Sequence, residues 1–209
     1  MPRARQQSEA RIRDRRRRLA HEAARLMSEG GISDFRHAKL KAASRLGIQD
    51  DASLPRNSEV EEALREYQRL FHGPGQDDAL RQRREAALEA LQFFAPFQPR
   101  LVGPVLEGTA DAHSPVSLQL YPEHPEEVPL FLDEHGIPAT ERSRRMRLDR
   151  SRSGDFPVWT FTADDLEFEL TVLPQLALRQ APLSNVDEKP MRRASAAQLE
   201  TLIAETSSP

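Results

Sequence analysis

The hydrophobic period of this chain changes once, at Pro96 and Pro99, and that change limits what the chain can fold into. Before it, apolar residues recur every three or four positions between glycine and proline stops, the spacing that places them on one face of a helix. After it, short alternating runs predominate, the period that sends successive side chains to opposite faces of a strand. The expectation is an α+β protein, a helical N-terminal region followed by a small mixed-sheet domain.

The first helix is predicted over residues 8–29, with Ile12, Leu19, Ala23, Leu26 and Met27 as its stripe and Gly30-Gly31 as its stop. The second covers 34–46, capped by Ser33 or Asp34 and closed by Gly47. The third is capped by Asn57 or Ser58, buries Val60, Ala63, Leu64, Tyr67, Leu70 and Phe71, and ends at Gly73-Pro74-Gly75. The fourth covers 77–95 with Leu80, Leu88, Leu91 and Phe94 inward. Strands are predicted over 100–106, 116–121, 145–148, 158–162 and 166–173, with a short helix over 126–134. Residues 174–194 show no periodicity, and Ser195 caps a last helix to Ala204. The predicted organisation is therefore 1–76 helical with a basic start, 77–173 the α/β domain, and 174–209 a proline-rich segment and C-terminal helix.

A hydrophobic content of 38% is enough for a compact core, and 30% charged residues leave solvated ends. The chain has no cysteine, which excludes disulfides and thiolate metal sites and makes a reducing cytoplasm the expected compartment. No apolar run nears the roughly 18 residues of a membrane span, and the arginine-rich start lacks the apolar core of a secretory signal. Charge is uneven: residues 1–98 carry +4 and residues 99–209 carry −7. Eight arginines fall within residues 1–18. Two readings stand for that run, a solvated helix start or a contact along a nucleic-acid backbone. No aromatic residue is interleaved there for base stacking.

The segment Leu101-Val102-Gly103-Pro104, a spacer of ten residues, and then Pro115-Val116-Ser117-Leu118 resembles the polymerase-beta-like nucleotidyltransferase superfamily. Gly108, Thr109, Ala110 and Ser114 look like that family's connecting segment. The resemblance covers residues 80–173. It implies a nucleotide-binding fold with a glycine turn, then two aspartates on alternate residues of the next strand, so that both reach Mg²⁺ on one face. It also implies a third carboxylate from a later strand, for which Glu169 or Glu167 is the candidate. Here Pro115 and Ser117 stand at the aspartate positions, and Pro104 replaces the turn's serine. Phosphoryl transfer leans on metal ions to neutralise charge, and one acid cannot hold two of them. The resemblance therefore implies a non-catalytic relative binding a nucleotide, RNA or a protein partner, with Gly103, Gly108, Thr109, Ser114 and Ser117 lining the nucleotide site. The alternative is an active enzyme using Mg²⁺ with Glu169, Glu167 and Asp111, and a third reading is a structural or regulatory protein. The chain as a whole also resembles a bacterial family with no mechanism to carry over.

The plain readings of the same residues are a solvated strand face for Glu167 and Glu169 and a turn for Asp111. Gly103-x4-Gly108-Thr109 lacks the lysine of a P-loop. His113 lies in the loop over the candidate site, within reach of a phosphate or simply exposed. Arg179, Lys189, Arg192 and Arg193 form a second basic cluster, either for a phosphate or RNA or as loop charges.

Overall fold

The computed structural model describes residues 2–32, 34–48, 53–71, 76–111 and 113–206. The protein is α+β, and the chain divides into two compact units, Met1–Gly73 with Asn185–Asp187, and Pro74–Ser184 with Glu188–Pro209. Among the described residues, no helix is long and apolar enough to cross a membrane.

The first unit holds α1 (Pro2–Gly30), α2 (Phe35–Leu46) and α3 (Asn57–Phe71). α1 packs on both of the others. Four of the five residues of its predicted stripe are buried, as Leu19, Ala23, Leu26 and Met27 join Ala38, Ala42 and Val60 in one core, while Ile12 is half-buried outside it. Alanine at six of the ten buried positions of this core leaves room for the helix axes to approach closely. Asp34 caps α2 by accepting the His37 N–H at 2.7 Å, and Gly47 closes it in the left-handed conformation at φ +64°. α3 starts differently from expectation. Arg56 sits at the cap and its N–H is held by the Glu59 carboxylate at 2.6 Å. Asn57 instead receives the Lys39 ammonium at 2.7 Å, a bond across to α2 that takes its side chain away from capping. Leu70, expected on the buried face, is exposed. Ser33 and the Gly73-Pro74-Gly75 stop lie outside the described residues.

The second unit opens with α4 (Gln76–Phe93) and a 3-10 turn at Ala95–Phe97, then β1 (Arg100–Val102), α5 (Pro104–Glu107), β2 (Val116–Leu120) and α6 (Glu127–Glu134). There follow β3 (Thr140–Arg147), β4 (Ser153–Ala163), β5 (Leu166–Val172), α7 (Leu176–Arg179) and α8 (Ala196–Thr206). Five strands make one mixed sheet in the order β1-β2-β5-β4-β3. β2 and β5 are parallel, and every other neighbouring pair is antiparallel. One face, carrying Leu101, Leu118, Leu170 and Phe168, builds the main core with Leu91 of α4, Phe94 just after it, Leu132 of α6 and Leu199 of α8. At one end of the other face a smaller cluster gathers Tyr121, Met146, Leu173 and Ala177. Ser195 caps α8 reciprocally with Gln198: its N–H donates to the amide oxygen at 2.9 Å, and its hydroxyl accepts the Gln198 N–H at 3.4 Å.

Four expected boundaries are corrected. The strand predicted over 100–106 stops at Val102, because Gly103 takes φ +73°, ψ −156° and Pro104 is set for the first turn of α5. The fourth helix ends at Phe93 and tightens into the 3-10 turn that contains Pro96. β3 begins five residues before the predicted strand, and β4 extends to Ser153 and Ala163 on either side of it. Gly103 occupies backbone space that is open essentially only to glycine, and nothing lies within 4 Å of where a β-carbon would stand. Gly103→Ala is thus expected to cost about 1–3 kcal/mol in urea denaturation from backbone strain alone; an unchanged midpoint would show that the turn relaxes.

Candidate functional site

Sheet register decides which side chains meet. Val102 pairs with Ser117, Ser117 with Glu169, Glu169 with Thr160 and Thr160 with Thr140, so one row crosses all five strands on the face opposite the main core. Glu169 thereby stands directly beside Ser117 on the neighbouring parallel strand. Its carboxylate is taken by Arg144 of β3, whose Nη2 donates to Oε1 at 2.8 Å and to Oε2 at 2.9 Å. The Glu169 side chain is 17% exposed and that of Arg144 45%, so the pair is partly shielded and charge-neutral. Glu167 lies two residues earlier, opposite Thr162 and beyond the first β2–β5 pair, and is exposed. Pro115 precedes β2 and offers no ligand atom.

Residues 103–114 form a loop between β1 and β2 with α5 at its start. Gly108, at φ +78°, closes α5 with its N–H on the Pro104 carbonyl, which also accepts the Thr109 N–H at 2.9 Å. Asp111 is built into a turn: its Oδ1 accepts the His113 N–H at 2.9 Å and the Ser114 hydroxyl at 2.9 Å. Ser114 in turn accepts the Asp111 N–H at 3.0 Å. The hydroxyl of Ser114 and the carboxylate of Asp111 are therefore mutually engaged, and the His113 side chain is exposed. Gly103, Gly108, Thr109 and Ser114 are brought together in this loop, whose start and end join the paired strands carrying Val102 and Ser117. Among the described residues, no three His, Asp or Glu side chains converge in a way that could hold a metal ion.

Two buried arginines fasten the loop from α4, and nothing in the sequence set them apart from surface charges. Arg83 Nε donates to the Ser114 carbonyl at 2.9 Å and Arg84 Nε to the Val105 carbonyl at 3.3 Å. Arg84 also reaches the Thr206 hydroxyl of α8 at 3.3 Å. Burial pulls both guanidiniums below the usual arginine range, with Asp111 opposing the effect at Arg83. Five fixed donors per guanidinium suit this work, because carbonyl oxygens can then satisfy a charge that has left water.

The C-terminal basic cluster separates on folding. The Arg193 guanidinium is spent on the Tyr121 hydroxyl at 2.9 Å and on the Ala177 and Leu178 carbonyls at 2.6 and 3.1 Å. It staples α7 to the end of β2, a correction to its reading as a loop charge. Arg192 is exposed beside an open groove of about 210 Å³ that Leu106, Gln198, Thr201 and Glu205 also line. That is smaller than the roughly 300 Å³ at which ordinary ligand pockets begin, so it admits part of a nucleotide at most. A larger open groove, about 520 Å³, lies at the β3–β4 hairpin against Lys189 and Pro190 and shares no residue with the loop.

No protein-family model matches the chain, and no curated protein matches it.

Tyr121 ties these parts together. Its hydroxyl donates to the buried Gln119 amide oxygen at 2.8 Å while accepting from Arg193. Burial raises its pKa, with Arg193 pulling the other way. The folded value being the higher one, the unfolded chain ionises first. This contribution to stability is complete below about pH 10 and is lost as pH rises from there through the folded value. Tyr67, whose hydroxyl donates to Glu29, acts with the same sign in the first unit. Tyr121→Phe is expected to cost about 1–3 kcal/mol near neutral pH, because Gln119 and Arg193 lose a partner. Denaturation series across pH should also show a shallower alkaline fall in the variant; an equally steep fall would remove Tyr121 from the account.

Proposed function

We propose that the second unit is a non-catalytic relative of the polymerase-beta-like nucleotidyltransferases that binds a nucleotide at residues 103–114 and Ser117 without a divalent metal. One observation carries this: Glu169, the acid in register with Ser117, is matched by Arg144 rather than left open to a cation. A metal pair bridging phosphates needs several carboxylate oxygens at about 2.1 Å. The row from Val102 to Thr140 supplies one carboxylate, already neutralised, together with hydroxyls. Hydroxyls can donate hydrogen bonds to phosphate-bearing groups, but a row whose one acid is already paired does not gather the positive charge that phosphoryl transfer requires. The glycine turn, the paired strands on either side of it and the acid position on a parallel neighbour support the kinship.

Thermal melting with ATP, CTP, GTP or UTP tests it. One or more nucleotides should stabilise the protein equally in Mg²⁺ and in EDTA. Stabilisation only with Mg²⁺, or nucleotide transfer by the pure protein, would favour an active enzyme. No shift with any nucleotide would favour a structural or regulatory role and a protein partner. A reconstruction adds a sharper expectation. Pro115→Asp with Ser117→Asp should gain Mg²⁺-dependent stabilisation only when Arg144→Ala accompanies it, because Arg144 otherwise stays on Glu169. Arg144→Ala alone should change stability by less than about 1 kcal/mol, as partly exposed ion pairs do.

A further inference from the structure

The solvent-facing side of α1 carries five arginines, Arg11, Arg13, Arg15, Arg17 and Arg18, all exposed, and Asp14 is the one acid between residues 11 and 18. None of the five has an ion pair among the described residues. Arg25 further along the same helix, by contrast, pairs with Glu22 at 2.9 Å, and Arg45 of α2 reaches the same carboxylate at 3.3 Å. At about 100° per residue the five fan over roughly 200° of the helix circumference, with Arg13 and Arg17 on one flank, Arg11 and Arg15 on the other, and Arg18 between. We infer that this arc is a docking surface for duplex DNA, seated at the major groove and held by phosphate contacts on both backbones.

Three physical points select that occupant. A basic helix can also lie on an anionic membrane, most firmly by inserting its apolar side. Here that side is consumed: Leu19, Ala23, Leu26 and Met27 are in the core of the first unit. An α-helix about 10–12 Å across matches a B-form major groove about 12 Å wide, and flanking guanidiniums then meet phosphates on either wall. The deep, narrow major groove of A-form RNA does not admit it. The arc holds no asparagine, glutamine or aromatic side chain between residues 11 and 18, so contacts fall on phosphates and binding is indifferent to sequence. This surface is separate from the nucleotide site proposed above, and either can fail without the other.

The test is fluorescence anisotropy of a labelled mixed-sequence DNA duplex with the full chain. Five phosphate contacts predict a log–log salt slope of about −4.5, an affinity loss of about 500-fold between about 50 and 200 mM KCl. Arg11→Gln/Arg15→Gln/Arg18→Gln should bring the slope to about −2. The matching triple lysine variant should keep the wild-type slope, and the melting curves of both should match wild type, since the side chains are exposed. The inference is overturned by absence of DNA binding at low salt or by an unchanged slope in the glutamine variant. It is equally overturned by tighter binding to an RNA duplex of equal length or to anionic phospholipid vesicles.

Discussion

The parallel register between β2 and β5 is the constraint on which the second unit's chemistry depends. Sliding β2 by one residue would turn Ser117 into the apolar core and expose Leu118, and sliding β5 would do the same to Glu169 and Leu170. Burial of Val116, Leu118, Leu120, Phe168, Leu170 and Val172 on one face therefore fixes what stands on the other. Arg144 completes the arrangement from the far edge of the sheet, reaching across β4 to the Glu169 carboxylate. A charge that would otherwise attract a cation is balanced by a side chain of the fold itself.

Arginine serves this protein in three different ways. Arg83, Arg84 and Arg193 turn inward wholly or in part and act as fasteners, each donating to backbone carbonyls of a loop or a one-turn helix. Arg144 and Arg147 pair with Glu169 and Glu188 at 2.8 and 2.7 Å. The α1 arginines face solvent. Position relative to the core separates these uses, since an interior guanidinium must have its hydrogen bonds met while an exposed one keeps water.

Much of the fold was legible because local signals agreed with it. Asp34, Gly47 and Ser195 mark helix ends by chemistry that acts within one turn, and the alternation of Leu166, Phe168, Leu170 and Val172 marks a strand buried on one side. The first part of β3 escaped because it lies on an edge strand: residues 140–145 are exposed on both faces, so no alternation exists to read. α5 escaped because Leu101 and Leu106 look like one apolar run until Gly103 turns the chain. At the candidate site, Gly103, Ser117 and Glu169 could each be singled out, but neither the pairing of Ser117 with Glu169 nor the claim of Arg144 on that acid could be. Both depend on long-range strand register, 52 residues apart for the first pair and 25 for the second. The inward turn of Arg83 and Arg84 was hidden likewise, because charge on a helix is ordinarily solvated.

A crystal structure of the protein with a non-hydrolysable nucleotide and Mn²⁺, read by anomalous scattering, bears most directly on the charge balance at this row. The expected result is a nucleotide against residues 103–114, Arg144 still on Glu169, and no manganese peak beside β2. A peak in coordination contact with Glu169, with Arg144 displaced, would contradict it.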